Sequence, residues 1–219
     1  ITKAYVDFFR KLEENNHKDW FHTHKKQYEL HVKAPFHQLV NELIEVLKPL
    51  DPQIPEDPKA IIMRINKDIR FSKDKRPYHL LMKANFTPGG RKSQNPGFYL
   101  GIGADRIHVG GGLYQSSTQD LKAIRRYVVA HEEEIIYILN DSSFKNEFGD
   151  IGGEKVKRLD TEWSQAAVRL PLLYHKQFFY MKELPIEEYF GKDLALTLTP
   201  LFHACTPLHR FLKKAVNSE

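Results

Sequence analysis

The feature that most constrains the fold is a pair of short strand-like runs, residues 98–103 and 106–111, broken at Ala104-Asp105. Two such runs separated by a two-residue turn read as a β-hairpin. Residues 80–86 read as another strand. Pro88-Gly89-Gly90 and Asn95-Pro96-Gly97 mark turns between it and the hairpin. Residues 61–65 and 177–184 supply two more strand candidates.

Helical spacing dominates both ends of the chain. Tyr5, Phe8, Phe9 and Leu12 recur on one face of a helix, and Asn15-Asn16 is the expected stop because Asn tolerates the left-handed conformation. A second helix is expected from about residues 17–20, with Phe21, Tyr28 and Val32 inward. Pro35 either kinks it or opens a new one that runs through Phe36, Leu39, Val40, Leu43 and Leu47 to about Lys48. Prolines at 49, 52, 55 and 58 suggest a short polyproline connector. Beyond the hairpin, Ser117 and Thr118 offer an N-cap, a helix is expected over residues 131–140, and residues 144–160 look irregular. Residues 191–216 read as helical with breaks at Pro200 and Pro207. Helices segregated from a largely antiparallel sheet define an α+β fold. The expected organisation is a single domain over 1–219, with a helical segment at 1–48 and an α+β body at 59–219.

Composition narrows the class. Of 219 residues, 41% are hydrophobic and 28% charged, which suits a packed core. No apolar run approaches the roughly 20 residues that span a bilayer, so no membrane association is expected. Residues 1–12 alternate charge with aromatics, unlike a signal peptide. The single cysteine, Cys205, sits in an apolar helical pattern and suits a core position in a reducing compartment, so a cytoplasmic location is expected. The histidines are scattered without zinc-ligand spacing, and neither a Walker loop nor a nucleophile elbow is present, so no metal or cofactor is expected.

The net charge of +5 is concentrated. Residues 64–76 hold Arg64, Lys67, Arg70, Lys73, Lys75 and Arg76 against only Asp68 and Asp74, which leaves the rest of the chain near neutral. A local cluster fits a discrete anionic ligand better than a general coating of nucleic acid. Arg64 and Arg70 are suited to bidentate recognition of phosphate or carboxylate. Lys73 and Lys75 add point charge, Ser72 a hydroxyl, and Phe71 or Tyr78 a ring. The same residues also suit a structural network or a solvated loop of internal ion pairs. Gly110, Gly111 and Gly112, followed by Tyr114 and a hydroxyl cluster, suit either an anion-cradling loop or a bulged strand end packed tightly. Trp20 and His24 share a helix face. His24 and Asp68 are the candidate acid–base groups.

These motifs resemble a known family. Leu12, Asn15, Asn16, Trp20 and Phe21, then Tyr28 and Pro35, match its opening pattern. Arg64, Asp68, Arg70, Phe71, Ser72, Asp74, Lys75, Pro77 and Tyr78 match its central signature, and Gly110, Gly111, Gly112 and Tyr114 a later one. The chain is identified by this resemblance as a member of the domain of unknown function 2461 family, conserved hypothetical proteins of bacteria and fungi. It departs at Asn66-Lys67, where many members resemble Tyr-Arg. The resemblance implies a shared fold and candidate surface and no reaction. The leading expectation is therefore a binding module for a phosphate-bearing or other anionic small molecule, with nucleic acid less favoured. The alternatives are an enzyme acting on a small anionic metabolite and a structural or protein-interaction domain.

Overall fold

The computed structural model describes residues 1–218. The fold is α+β: helices occupy both ends of the chain, and a four-stranded antiparallel sheet has the order β1-β2-β3-β4. The backbone falls into two compact units, each built from several chain segments.

The first unit comprises residues 1–91, 99–109 and 183–200. Helix α1 (Lys3–Glu14) buries Tyr5, Val6, Phe8, Phe9 and Leu12 along one stripe. It stops at Asn15 as the sequence suggests, but not in a left-handed conformation: φ there is −128°, and positive φ among the described residues is confined to glycine. Helix α2 (Lys18–Thr23) starts under His17, whose ring accepts the Trp20 N–H. A short α3 (Lys25–Gln27), a π turn (Tyr28–Lys33) and α4 (Ala34–Leu47) come next without a gap. The π turn accounts for Pro35. Proline has no N–H and its ring crowds the carbonyl four residues back, so a normal α turn is disfavoured there. The chain widens instead, and the Ala34 N–H donates to the Glu29 carbonyl, five residues back.

Phe8 anchors this helical assembly, with its ring centroid 5.6 Å from Trp20, 6.1 Å from Phe21 and 5.7 Å from Tyr28. Two expectations about the next segment need correction. The proline-rich stretch is a series of tight turns, with Asp51 and Ile54 buried at 1% and 2% exposure, because backbone bonds from Leu50, Asp51 and Ile54 fold it back on itself. Residues 61–65 are not a strand. Helix α5 (Pro58–Ile61), capped by the Asp57 side chain, takes the first of them, and the residues after it make only isolated bridges, Ile62 to Ala84 and Asn66 to Tyr78. Strand β1 (Leu81–Phe86) alternates as a half-buried strand should, with Met82, Ala84 and Phe86 inward.

The second unit comprises residues 92–98, 110–182 and those from 201 onward. It contains α6 (Thr118–Ala130), α7 (Glu132–Asn140), α8 (Ser142–Phe148) and α9 (Thr161–Ser164). Ser117 and Asp120 close α6 with a reciprocal capping box. Helix α8 occupies part of the stretch expected to be irregular, because Asp141 caps it and Phe144 and Phe148 bury against Tyr180.

Strands β2 (Gly97–Gly103), β3 (Arg106–Leu113) and β4 (Phe178–Pro185) complete the sheet. The C-terminal α10 (Leu194–Val216) is continuous, correcting the expected breaks at Pro200 and Pro207. Both prolines are exposed and share a face, so the carbonyls they leave unbonded are open to water. The Thr before each one donates its hydroxyl to the carbonyl four residues back, at 2.7 Å in both cases.

Candidate functional site

A cavity of about 610 Å³ opens within the first unit. That size falls in the range typical of small-molecule sites. Its walls come from α2 and α3 (Phe21, His22, Lys25), the π turn (Tyr28, Glu29, Lys33), α4 (His37), α5 (Lys59), residues 62–66, Tyr78, Met82 and Arg91. Five of these side chains are cationic and one, Glu29, is a carboxylate. Glu29 pairs with Lys33 at 2.7 Å. Arg91 is anchored by donating to the carbonyls of Lys59 and Ile62. Among the described residues, the side chains of Lys25, Lys59 and Arg64 make no ion pair and no hydrogen bond. The positive field is felt at His37. Burial and the charge of Lys33 draw its pKa below the ordinary histidine value and Lys59 adds to this, while Glu29 and Asp57 oppose. The floor is aromatic: Tyr28 donates to the Met82 sulfur, and Phe21 stacks on Tyr78 with centroids 4.1 Å apart.

The signature between Asn66 and Tyr78 forms a finger rising from this rim. Asn66 and Tyr78 face each other in an antiparallel bridge, and the Lys67 N–H donates to Pro77. The Asn16 amide clamps the foot of the finger, donating to the Tyr78 carbonyl at 3.0 Å and accepting its N–H at 3.1 Å. Higher up, Arg70 grips Asp68 through two parallel bonds of 3.0 and 2.7 Å. That bidentate bond holds the Asp68 carboxyl down to about 2. Asp74 is gripped by Arg76 and Lys67 and is pushed well below the usual carboxylate range. Lys75 donates to the Ile69 carbonyl. At the tip, Phe71 is 95% exposed, with the Arg70 guanidinium 5.9 Å from its ring centroid.

Of the residues singled out in the sequence, Arg64 and Tyr78 line the cavity. Arg70, Phe71, Ser72, Lys73, Lys75 and Asp68 belong to the finger. Trp20 and His24 stack on each other at 4.1 Å, and the His24 ring bonds the Trp20 carbonyl. Gly110, Gly111 and Gly112 are part of β3 itself, in the second unit, and do not line the cavity. A Cβ on any of them would collide with backbone of a neighbouring strand, which requires glycine there for close approach. Tyr114 lies beyond the strand end beside Phe179, with centroids 5.5 Å apart.

Sequence reasoning missed Lys33, Lys59, Arg91, Glu29 and His37. Their spacing carries no motif, because they reach one cavity from separate elements. Among the described residues, no group of three His, Cys, Asp or Glu is placed to hold a metal ion, and no helix is long and apolar enough to cross a membrane.

The fold is α+β, with a cation-lined cavity beside a clamped finger. The chain belongs to the family described as conserved hypothetical protein (DUF2461), which it matches over residues 4–211. No curated protein matches it.

Proposed function

We propose that the chain is a binding module whose cavity takes a phosphate-bearing or otherwise anionic small molecule. The observation that carries this reading is the excess of five cations over a single carboxylate in one concave site, with Arg64 unpaired among the described residues. Cations gathered at one concave site repel one another, an anion relieves that repulsion, and a guanidinium offers a planar fork to phosphate or carboxylate. A second reading, an enzyme on a small anionic metabolite, draws on His37. That ring lines the same cavity and is biased toward the neutral, proton-accepting form.

The test is a thermal-shift titration with inorganic phosphate and pyrophosphate. Ligand at about 100 times its dissociation constant adds about 2.7 kcal/mol, which for a chain of this size is a rise of about 5–11 °C. Arg64→Ala abolishes the rise, whereas Lys122→Ala, an exposed residue of α6, leaves it in place. A wild type indifferent to every anion up to millimolar concentration refutes the reading.

A further inference from the structure

The cavity does not use the tip of the finger, and that tip combines two features seldom left together on a surface. A phenylalanine is 95% exposed. Around it, residues 67–76 carry five cations against two carboxylates. The backbone bonds at the foot, the Asp68–Arg70 fork and the three-way contact of Asp74 with Lys67 and Arg76 hold the finger in shape. The ring is therefore presented, not collapsed. Asp68 aims the Arg70 guanidinium toward the ring. Lys73 makes no ion pair or side-chain hydrogen bond among the described residues, and Lys75 bonds only a carbonyl.

We propose that this finger is a discrete contact for single-stranded nucleic acid: a base stacks on Phe71 while Lys73 and Lys75 meet the flanking phosphates. Every base offers a π-face, so such a contact is tolerant of sequence, and an arginine near the ring strengthens it. The charge excess selects a polyanion, and the ring selects one that carries flat apolar groups. A duplex hides those faces within its stack and is the weaker ligand. The inference goes beyond the cavity reading and does not depend on it.

The experiment is fluorescence anisotropy of a labelled oligothymidylate of about 12 nucleotides, a length suited to one binding face. The full chain is compared with Phe71→Ala, Phe71→Trp and Lys73→Ala, all at exposed positions that leave the fold intact. Phe71→Ala weakens binding at least fivefold, the lower end of one stacked base, and Phe71→Trp restores it. Lys73→Ala lowers the slope of affinity against salt. Inorganic polyphosphate of matched charge binds more weakly than the oligonucleotide and ignores Phe71. The proposal is overturned if Phe71→Ala binds as the wild type does. It is equally overturned if polyphosphate binds as tightly as the oligonucleotide, or if phosphatidylglycerol vesicles capture the protein through Phe71 while the oligonucleotide does not. If pyrophosphate raises the melting point but the oligonucleotide ignores Phe71, the cavity reading stands and this one falls. Oligonucleotide binding through Phe71 without any pyrophosphate shift upholds the finger as a nucleic-acid contact and removes the cavity reading.

Discussion

Replacing Asn16 with alanine tests how the finger is held to the helical assembly. The Asn16 amide is the partner of both backbone polar groups of Tyr78, a residue only 5% exposed. Alanine removes two hydrogen bonds and strands a part-buried N–H and C=O. A hydrogen bond contributes about 1 kcal/mol net, and an orphaned group at a part-buried position like these costs about 1–1.5. The expected loss is therefore about 2–3 kcal/mol, with the stacked Phe21–Tyr78 pair left to hold the foot alone. Amide hydrogen exchange reads this locally. Protection at Tyr78 and at His79, whose N–H bonds the Ile65 carbonyl, falls by about 30- to 160-fold. Urea denaturation reads it globally. A change of less than about 0.5 kcal/mol, with Tyr78 protection intact, would refute the clamp.

Three further outcomes are expected from the same geometry. His79 has its pKa lowered to about 4, by burial first and then by Lys83 and Lys67. Its folded pKa lies below the unfolded value of about 6.5, so the stability it contributes is full above that pH and is lost progressively as pH falls toward 4. His79→Gln flattens that part of the stability–pH curve. Gly112→Ala places a Cβ against the Phe178 carbonyl at a φ of +102°, and a loss of at least about 2 kcal/mol in chemical denaturation is expected. Cys205 is fully buried and its thiol is pushed up to about 12 by burial, so thiol reagents label it only as fast as the protein unfolds.

The α+β class, the hairpin and the positions of most helices were legible in the sequence because local pattern decides them. Alternation fixes β1, and the 3.6-residue period fixes α1 and α4. The errors have both tertiary and local causes. Pro200 and Pro207 failed to break α10 because both sit on its wet face, where a missing N–H costs little. Residues 61–65 are apolar enough for a strand, yet Asp57 and Pro58 start a helical turn there first. At the candidate site, contiguous chemistry was visible and assembled chemistry was not. The signature at residues 64–78 stood out by charge, but nothing in the spacing of Lys25, Lys33, Lys59 and Arg91 shows that they meet.

The π turn sets a phase. An extra residue in one turn rotates everything after it by about 100° relative to an uninterrupted α-helix. Up to the first residue of the turn, the helical path is timed to put Phe21 and Tyr28 at the cavity floor. After it, the timing changes, and Phe36, Leu39, Val40, Leu43 and Leu47 enter the core. Glu29 and Lys33 lie within the slipped beat and face each other across it. A chain shortened by one residue between Tyr28 and Lys33 can return to ordinary helical time, but it then keeps either the cavity or the core in step, and not both.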